Sequence, residues 1–460
     1  MQRFSSEKLK DWLVSNHRKP LVIRGARQVG KSTLVRQFAH AQELTLHEVN
    51  LERHLALTDA FSSQDTQRIL RELEFICGKG PIKGEGDLLF LDEIQAVPIA
   101  LQSLRYLYED RPELPVVAAG SLLEFALSKH SFSMPVGRIE YLFLGPMTFA
   151  EMLEELGEDV LLDLLRQYQT DDVFPLTAHE RLLELQRVFL LVGGMPEAVQ
   201  RYSETRDMAA VADVHAAIIE TYRDDFAKYA TQTELLRLHK VFDYVPAAVG
   251  KKFKYVQVDP HERARELHKA VDLLAKAQVV TQVFHTDASG LPLRAGVNWR
   301  IFKPYLLDGG LMNHMCGVEW LSLEDLKTRA FVNEGQMAEQ FIAQHLLTLG
   351  RGNTSPTLHY WLREGRANNA EVDFVLQLDQ VVSPVEVKAG RSGSLKSLLQ
   401  FAWQKGVDRA VRFDLNPPTR QRVEHGLQQV GGAVDVEVDL LSLPLYMVEE
   451  LPRLFGKTAV

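Results

Sequence analysis

The sequence predicts an α/β protein of several domains that begins with a parallel-sheet domain and continues into helical and mixed units. Three observations support this prediction. The chain has 460 residues, which is too many for one ordinary core. Its first 150 residues alternate short apolar runs with helical patterns. From Thr148 onward the pattern is helical, and strand patterns return only near Val279.

Composition and charge indicate a soluble globular protein. Hydrophobic residues make up 46% of the chain and charged residues 25%, with a net charge of -9. This charge argues against a protein that coats nucleic acid over its whole surface, although it is compatible with a local basic site. Cys77 and Cys316 are too few and too far apart for a disulfide framework or a zinc site. No segment has the pattern of a signal sequence or membrane span, so we expect a cytoplasmic protein without a membrane partner.

The first domain is predicted to span residues 1–147 and to contain one parallel sheet. Its strands should be apolar on both faces because helices cover both sides of such a sheet. The five matching runs are Leu21–Arg24, Leu46–Leu51, Leu88–Asp92, Val116–Gly120 and Ile139–Leu144. Five strands alternating with helices fit a single α/β nucleotide-binding domain.

A helical lid is predicted for residues 148–232. Thr148 and Glu151 have the spacing of a capping box, in which two side chains satisfy the free N–H groups at a helix start. The helical pattern that follows is interrupted at the segment Gly193-Gly194-Met195-Pro196. We expect the lid to pack against the first domain.

A winged-helix-like unit is predicted for residues 233–330. The apolar spacing around Leu267–Leu274 predicts a helix, and two strands, Val279–His285 and Leu293–Phe302, should follow it. A helix followed by a β-ribbon is the order of a winged helix.

The last unit, residues 331–460, is predicted to be an α/β domain. It should open with a helix and continue with the strands Thr357–Leu362, Glu371–Leu376 and Val381–Val387.

A phosphate-binding loop follows the first predicted strand. The segment consists of Gly25, Ala26, Arg27, Gln28, Val29, Gly30, Lys31, Ser32 and Thr33, and its first eight residues match the Walker A pattern. The glycines let backbone N–H groups turn toward the phosphates, Lys31 reaches the β- and γ-phosphates, and Ser32 offers a hydroxyl to Mg²⁺. The sequence therefore predicts ATP and Mg²⁺ as cofactors.

A pair of carboxylates completes the predicted nucleotide site. Asp92 and Glu93 end the apolar run that starts at Asp87, and ligands bind at the carboxyl ends of strands in open α/β sheets. We expect Asp92 to hold Mg²⁺ and Glu93 to act as the general base on the attacking water.

These motifs resemble those of the AAA+ ATPases, in particular bacterial and archaeal ATPases with a C-terminal DUF4143 region. The resemblance extends over nearly the whole chain. Its further segments are Ala118–Ser121, Val136–Arg138, Gly145–Glu151, Gly193–Ala198 and Lys303–Leu311. The resemblance implies ATP hydrolysis coupled to a conformational change in a homo-oligomer.

Two more residues of the first domain have roles that the resemblance implies. Ser121 lies where such ATPases keep a polar sensor for the γ-phosphate, and its alternative interpretation is a turn residue at a strand end. Arg138 is a candidate arginine finger for a neighbouring subunit, and its alternative interpretation is a surface salt bridge. Arg24 and Arg27 are interpreted as structural or solvated.

A second possible active site lies in the last unit. The order of Glu339, Asp373, Glu386 and Lys388 resembles the PD-(D/E)xK nuclease superfamily, although Val372 stands where that motif has its leading proline. Alternation places Asp373 on one face of its strand, and places Glu386 and Lys388 together on theirs. Carboxylates converging there would bind Mg²⁺ for cleavage. The alternatives are a solvated face with cross-strand ion pairs, and a domain that only binds DNA or protein.

DNA is the expected macromolecular partner. In Lys251–Tyr255, lysines that would meet phosphates alternate with aromatics that would stack on bases. An ordinary loop edge is the alternative. The charged segment Tyr222–Lys228 is interpreted as solvated or internally paired.

The sequence therefore predicts a Mg²⁺-dependent ATPase coupled to DNA. A nucleotide-controlled assembly switch with a non-catalytic C-terminal domain is the alternative, and an ATP-gated DNA nuclease is the third possibility.

Overall fold

The computed structural model describes residues 3–121, 123, 135, 137–318, 334–350, 352–364, 369–378, 380–429 and 432–456. The boundary predicted between residues 330 and 331 lies outside this part of the chain, as does Val136. Among the described helices, none combines the length and apolar character needed to cross a membrane.

The described residues form an alternation of helices and strands that becomes mostly helical in the middle of the chain. The strands are β1 (Leu21–Arg24), β2 (Thr45–Asn50), β3 (Asp87–Asp92), β4 (Val116–Gly120), β5 (Glu140–Phe143), β6 (Val280–Thr286), β7 (Val297–Leu306), β8 (His359–Arg363), β9 (Ala370–Leu378), β10 (Val381–Val387), β11 (Arg409–Asp414), β12 (Thr419–Gln429) and β13 (Gly432–Pro444). The helices before β6 are α1 (Ser5–Val14), α2 (Lys31–Ala41), α3 (Leu57–Ser62), α4 (Thr66–Cys77), α5 (Ile99–Asp110), α6 (Phe149–Glu155), α7 (Asp159–Gln167), α8 (Leu176–Val192), α9 (Pro196–Thr205), α10 (Met208–Tyr229), α11 (Gln232–Ala248), α12 (Tyr255–Val258) and α13 (Ala264–Lys276). The later helices are α14 (Gly309–Met315), α15 (Glu334–Leu346), α16 (Lys396–Lys405) and α17 (Leu451–Phe455).

The N-terminal sheet has five parallel strands in the order β2-β3-β4-β1-β5. Each predicted strand of this domain is present within one residue of its predicted ends. Alternate residues of β3 enter two different cores, because Leu88 and Phe90 pack with α2 while Leu89 and Leu91 pack with α5. Both faces are therefore covered, as the apolar runs predicted.

The helical region begins where the sequence predicts it. The Thr148 side chain accepts from the backbone N–H of Glu151, and the Glu151 carboxylate accepts from the backbone N–H of Thr148, so the capping box is formed. Five helices, α6 to α10, follow in succession before α11.

The ribbon expected in a separate winged-helix-like unit belongs instead to the C-terminal sheet. This mixed sheet has eight strands in the order β12-β13-β11-β10-β9-β8-β6-β7. Strand β6 pairs in parallel with β8 through Phe284 and His359, so backbone hydrogen bonds join the two predicted units into one sheet. Sequence periodicity predicts that a segment is a strand but not which strand it pairs with, so it predicts the ribbon without its place in the C-terminal sheet.

Strand β7 also begins and ends later than predicted. Residues Leu293–Gly296 form a short 3₁₀ turn, and the strand continues through Pro304 to Leu306. Proline is tolerated here because β7 ends the order of the described strands, so its outer side has no described strand that needs the missing N–H.

Three glycine-containing segments of the sequence meet at one junction. The backbone N–H of Gly194 donates to the Asp308 carboxylate at 2.6 Å, and the backbone N–H of Met147 donates to the Gly194 carbonyl at 2.6 Å. A Cβ on Gly194 would lie 2.0 Å from the Met147 carbonyl oxygen, and one on Gly310 would lie 2.6 Å from the Val192 carbonyl oxygen. Glycine is required because these backbones touch, so the segments hold the first domain, the helical region and the C-terminal sheet together.

Candidate nucleotide site and C-terminal carboxylate cluster

The phosphate-binding loop connects β1 to α2, as predicted. A Cβ on Gly25 would lie 2.3 Å from the carbonyl oxygen of Leu144, which follows β5. Gly30 has φ of 90° and Gln28 has φ of 64°, so the loop turns through left-handed conformations just before the helix. This geometry directs backbone N–H groups and the α2 N-terminus into the space at the end of β1.

Lys31 lies buried at the start of α2. Its ammonium donates to the carbonyl oxygens of Gly25 at 3.1 Å and Ala26 at 2.8 Å. Burial lowers the pKa of Lys31 to about 8, against the opposing effect of the carboxylates of Glu93 and Asp92. A bound phosphate would stabilise the charged form of Lys31, because a nearby anion offsets the loss of hydration that burial causes.

Ser32 and Asp92 approach each other across the sheet edge. The Ser32 hydroxyl donates to both Asp92 carboxylate oxygens at 3.0 Å, and burial raises the pKa of Asp92. A hydroxyl and a carboxylate so placed are the oxygen ligands that Mg²⁺ prefers, and two protein ligands leave room for phosphate oxygens and water. The residues present therefore fit the ion.

Glu93 occupies a constrained position directly after β3. Its φ of 52° is left-handed, its backbone N–H donates to Asp92 at 3.1 Å, and its carboxylate accepts from the Gln95 side-chain amide. Gln95 was not predicted as a site residue. It packs against β4, since a Cβ on Gly120 would lie 2.3 Å from the Gln95 side-chain oxygen. Gln95 thus holds the carboxylate that is predicted to act as the base.

Ser121 lies at the sheet edge that carries the nucleotide loop, whereas Arg138 lies exposed on the surface. Ser121 is buried directly after β4, which lies between β1 and β3, so it sits at the same sheet edge as the loop and Asp92. Arg138 is 45% exposed and forms an ion pair with Glu109 at 2.8 Å. Within this chain Arg138 makes the surface salt bridge that was its alternative interpretation, and a role toward a neighbouring subunit stays a prediction.

Helix α10 and the N-terminal segment hold the loop from outside the first domain's sheet. The Arg27 guanidinium pairs with the buried Asp225 carboxylate at 2.6 Å, and the Tyr222 hydroxyl donates to the Arg27 carbonyl at 2.7 Å. Arg3 donates to the Val29 carbonyl at 2.8 Å. Burial tends to lower the pKa of Arg27, but Asp225 outweighs it and the pKa is raised.

Sequence reasoning interpreted Arg27 and Asp225 as structural, solvated or locally paired, and did not connect them. They are 198 positions apart, and no local pattern links positions at that distance. The only local indication was the apolar spacing of α10, which predicts a buried face.

The four residues of the possible second site lie near one another: Asp373, Glu386 and Lys388 by their strand positions, and Glu339 from a helix packed against those strands. Glu339 lies on α15, Asp373 on β9, and Glu386 on β10 with Lys388 just beyond its end. Asp373 accepts from the backbone N–H of Val387 at 2.8 Å, and Glu386 pairs with Lys388. Burial raises the pKa of both Glu339 and Glu386. The PD-(D/E)xK assignment itself stays a prediction.

A lysine that sequence reasoning did not select lies within this cluster. Lys303 of β7 is fully buried, and its ammonium is 3.6 Å from Glu339 and 3.7 Å from Asp373, with a further ion pair to Glu371. Burial tends to lower the pKa of Lys303, but the three carboxylates outweigh it and the pKa is raised. Lys303 begins the segment Lys303–Leu311, which is part of the family resemblance. That resemblance is the feature of the sequence that could have pointed to this lysine.

The aromatics predicted to stack on DNA bases are engaged within the protein. Phe253 is buried and stacks on Phe302 with ring centroids 5.1 Å apart. The Tyr255 hydroxyl hydrogen-bonds His268 at 2.9 Å, and Lys252 pairs with Glu364 at 2.7 Å. These contacts match the alternative interpretation of this segment as an ordinary loop edge.

Comparison with known proteins assigns families to three parts of the chain. The model of an AAA domain matches residues 17–153, that of a domain of unknown function, DUF8612, matches 183–322, and that of another, DUF4143, matches 334–425. A search of curated proteins gave no match.

Several solved structures show a distant likeness. The Aeropyrum pernix ORC2 protein in ADPNP-ADP complexes is 15% identical, with a TM-score of 0.35, over 69% of this chain and 94% of that one. The Thermotoga maritima RuvB Holliday junction branch migration motor is 16% identical, with a TM-score of 0.28, over 62% and 90%. PCH-2 of C. elegans is 15% identical, with a TM-score of 0.25, over 44% and 59%. At such TM-scores these likenesses carry no weight for function.

The family models and the site geometry agree on the organisation of the chain. The AAA match contains the phosphate-binding loop, Asp92 and Glu93, and the DUF4143 match contains Glu339, Asp373, Glu386 and Lys388. The protein therefore combines an N-terminal AAA-type P-loop ATPase domain with a C-terminal DUF4143 domain.

Proposed function

We propose that this protein binds ATP with Mg²⁺ and hydrolyses it at the sheet edge formed by β1, β3 and β4. The observation that carries the proposal is the convergence of Lys31, Ser32, Asp92 and Glu93, which come from two segments some 60 residues apart. Backbone N–H groups, a buried ammonium, a hydroxyl and two carboxylates together make the donor and acceptor set of phosphoryl transfer.

Each residue has a defined task in this reaction. Lys31 would exchange its contacts with the Gly25 and Ala26 carbonyls for the β- and γ-phosphates, and Ser32 and Asp92 would hold Mg²⁺. Mg²⁺, when bound, offsets the negative charge of the phosphate oxygens. Glu93 accepts the proton of the attacking water, and Gln95 keeps that carboxylate oriented. Ser121, at the end of β4, senses the γ-phosphate.

The test is Mg²⁺-dependent phosphate release by the full chain and by two variants. Lys31→Ala should lose ATP affinity, because it removes the ammonium from the loop. Glu93→Gln should bind ATP normally yet hydrolyse it at least about 100-fold more slowly, since a general base supplies roughly 10²–10⁴ in rate. Glu72→Gln, an exposed change on α4, is the matched control. Native turnover by Glu93→Gln would disprove the assigned base.

We further propose that hydrolysis is coupled to a partner, with DNA as the first to test. A nucleotide-controlled assembly switch is the second candidate, and a specific observation favours it. Helix α10 contacts the loop directly through Asp225 and Tyr222, so a change in the loop is transmitted to the helical region. Several-fold stimulation by single- or double-stranded DNA would support the first candidate. Turnover indifferent to DNA, with subunit association that depends on ATP, would support the second.

We also propose that Arg138 acts on the nucleotide of a neighbouring subunit in a homo-oligomer. It is exposed at the surface. Its ion pair with Glu109 is also exposed, so breaking that pair costs little free energy. Arg138→Ala should retain ATP binding and lose hydrolysis, whereas Glu109→Gln should retain both. If Arg138→Ala hydrolyses ATP at the native rate, the finger role is wrong.

An ATP-gated nuclease is the third candidate function, placed at Glu339, Asp373, Glu386 and Lys388. It requires that Asp373→Ala and Lys388→Ala abolish Mg²⁺-dependent cleavage of DNA while ATP hydrolysis persists. The position of Lys303 bears directly on this candidate.

A further inference from the structure

We propose that Lys303 is a built-in cation that occupies the carboxylate cluster of the C-terminal domain, where a divalent metal would otherwise sit. We use "carboxylate cluster" for Glu339, Glu371 and Asp373. The cluster then serves as a lock between β7 and the DUF4143 domain, and it does not serve as a metal centre for cleavage.

The geometry places the ammonium among three carboxylates. Its nitrogen is 3.6 Å from an oxygen of Glu339 and 3.7 Å from an oxygen of Asp373, and it forms an ion pair with Glu371. It also lies 5.1 Å from the centre of the Tyr360 ring, in a cation–π contact. Lys303 has no exposed surface, and of its three carboxylate partners only Glu371 is substantially open to solvent.

The lysine is held in this position from both sides along β7. Phe302 stacks on Phe253, and the Tyr305 hydroxyl donates to Glu339 at 2.8 Å. The backbone N–H of Leu306 donates to the Gln340 side chain at 3.0 Å, and the same side chain donates back to the Leu306 carbonyl at 2.7 Å. These contacts hold β7 against Phe253 just before Lys303 and against α15 just after it.

The metal that the nuclease resemblance implies does not fit this arrangement. Mg²⁺ needs about six oxygen ligands at about 2.0–2.1 Å, and an ammonium 3.6 Å from Glu339 and 3.7 Å from Asp373 opposes a second cation there by its charge. The other Asp373 oxygen accepts from the Val387 backbone, and Glu386 pairs with Lys388 through Oε1, while Glu386 Oε2 is buried without a hydrogen-bond partner among the described residues. Within the described part of the chain, no three or more acidic, histidine or cysteine side chains are arranged to hold a metal ion.

The lock joins segments assigned to two different families. Lys303 lies in the part that matches DUF8612, and all three carboxylates lie in the part that matches DUF4143. Grouping the largely buried Glu339 and Asp373 with the partly exposed Glu371 is unfavourable without a cation, so the DUF4143 domain draws counter-charge from the neighbouring unit.

The first experiment titrates Mn²⁺, a spectroscopic substitute for Mg²⁺, into the nucleotide-free full chain and follows free Mn²⁺ by electron paramagnetic resonance. The native protein and Asp373→Asn should bind the same number of ions, since Asp373 holds none. Asp92→Asn accounts for any ion held at the nucleotide site. A native binding site that Asp373→Asn removes would overturn the proposal, as would native DNA cleavage that Asp373→Asn abolishes.

The second experiment removes the built-in cation with Lys303→Met, which keeps the length of the side chain. Thermal unfolding should shift down by at least about 3 °C, because the carboxylates lose their counter-charge. Added Mn²⁺ should restore much of that loss and bind at least 10-fold tighter than to the native chain. The double variant Lys303→Met/Asp373→Asn should lose this gained site. Lys252→Met, which removes an ion pair with the more exposed Glu364, is the control.

A folded Lys303→Met protein that gains no Mn²⁺ site would contradict the assignment of Lys303 to the metal position. If this variant does not fold, the comparison of the native chain with Asp373→Asn decides the question by itself.

Discussion

At the scale of single residues, the nucleotide site depends on glycines where an added Cβ atom would collide with the backbone of a neighbouring segment. Gly25 is the clearest case, because its Cα faces the carbonyl oxygen of Leu144 on the neighbouring chain segment. Lys31 and Ser32 then stand at the first turn of α2, directed toward Asp92 and Glu93 by the loop that Gly25 permits. The chemistry is carried by the charged side chains, but their placement depends on the glycine.

Gly25→Ala should weaken ATP binding by at least about 10-fold and lower the free energy of unfolding by about 1–3 kcal/mol. The added Cβ would lie 2.3 Å from the Leu144 oxygen, so the loop or β5 must shift. Fluorescent-nucleotide titration and denaturant unfolding measure the two effects. Gly145→Ala is the matched control, because a Cβ there meets nothing within 4 Å. Equal behaviour of the two variants would show that the close approach does not matter.

At the scale of secondary-structure elements, α10 is the element that connects the nucleotide loop to the rest of the chain. Its Tyr222 and Phe226 are fully buried, and its Asp225 reaches the loop at Arg27. Strands β6 and β7 likewise join segments that are far apart in the sequence. They belong to a sheet whose other strands, β8 to β13, come much later in the chain. Each element is recognisable locally, whereas its partner is not.

Asp225→Asn should lower the free energy of unfolding by about 1–3 kcal/mol and weaken ATP binding several-fold. The change removes a buried charge that is hydrogen-bonded to Arg27, and the loop loses its outer support. Asp224→Asn, one position earlier and exposed, should change stability by less than about 0.5 kcal/mol. Denaturant unfolding measures the change in stability, and nucleotide titration measures the change in ATP affinity. If Asp225→Asn matched Asp224→Asn in both, α10 would not support the loop.

At the scale of the whole molecule, a few buried polar contacts hold the three regions together. Gly194, Met147 and Asp308 form one junction, and His345 forms another. The backbone N–H of Phe149 at the start of α6 donates to His345 of α15 at 2.8 Å, and His345 hydrogen-bonds the Phe341 carbonyl through its other nitrogen at 2.7 Å. Only a neutral imidazole can accept the first of these bonds while donating the second.

The stability that His345 contributes should fall as the pH is lowered from about 6.5 toward 4, whereas the buried carboxyls of Glu339, Glu386 and Glu449, whose pKa values are raised, contribute a slope of opposite sign. Burial lowers the pKa of His345 to about 4 from 6.5, so below pH 6.5 the unfolded chain takes up a proton that the folded chain does not. Below about pH 4 both states are protonated and the loss is complete, at roughly 3 kcal/mol for this residue. His215, whose pKa burial also lowers to about 4, adds to the same slope.

His345→Gln tests the contribution of this residue to the pH dependence. Between pH 6.5 and 4, denaturant unfolding should show that the variant loses less stability on acidification than the native chain, by up to about 1.4 kcal/mol per pH unit. His40→Gln, an exposed change on α2, should leave the slope unchanged. An unchanged slope in His345→Gln would show that the imidazole is already accessible to protons in the folded chain.

The sequence alone determined the parts of this protein that depend on neighbouring positions. The five strands, the helix start at Thr148, the phosphate-binding loop and the Asp92-Glu93 pair each lie within a short window, where periodicity, capping and loop chemistry operate. The convergence of Asp373, Glu386 and Lys388 could also be predicted, because alternation along a strand fixes which side chains share a face, whereas Glu339 lies on helix α15.

The tertiary structure alone decided the pairings between distant segments. These include the joining of β6 to β8, the contact of Arg27 with Asp225, and the insertion of Lys303 among three carboxylates. The physical reason is that buried charges and strand edges must find partners, but many residues of suitable type exist along the chain. Only the packed fold selects which of them meet, and here it brought a lysine to the carboxylates where the sequence predicted a metal.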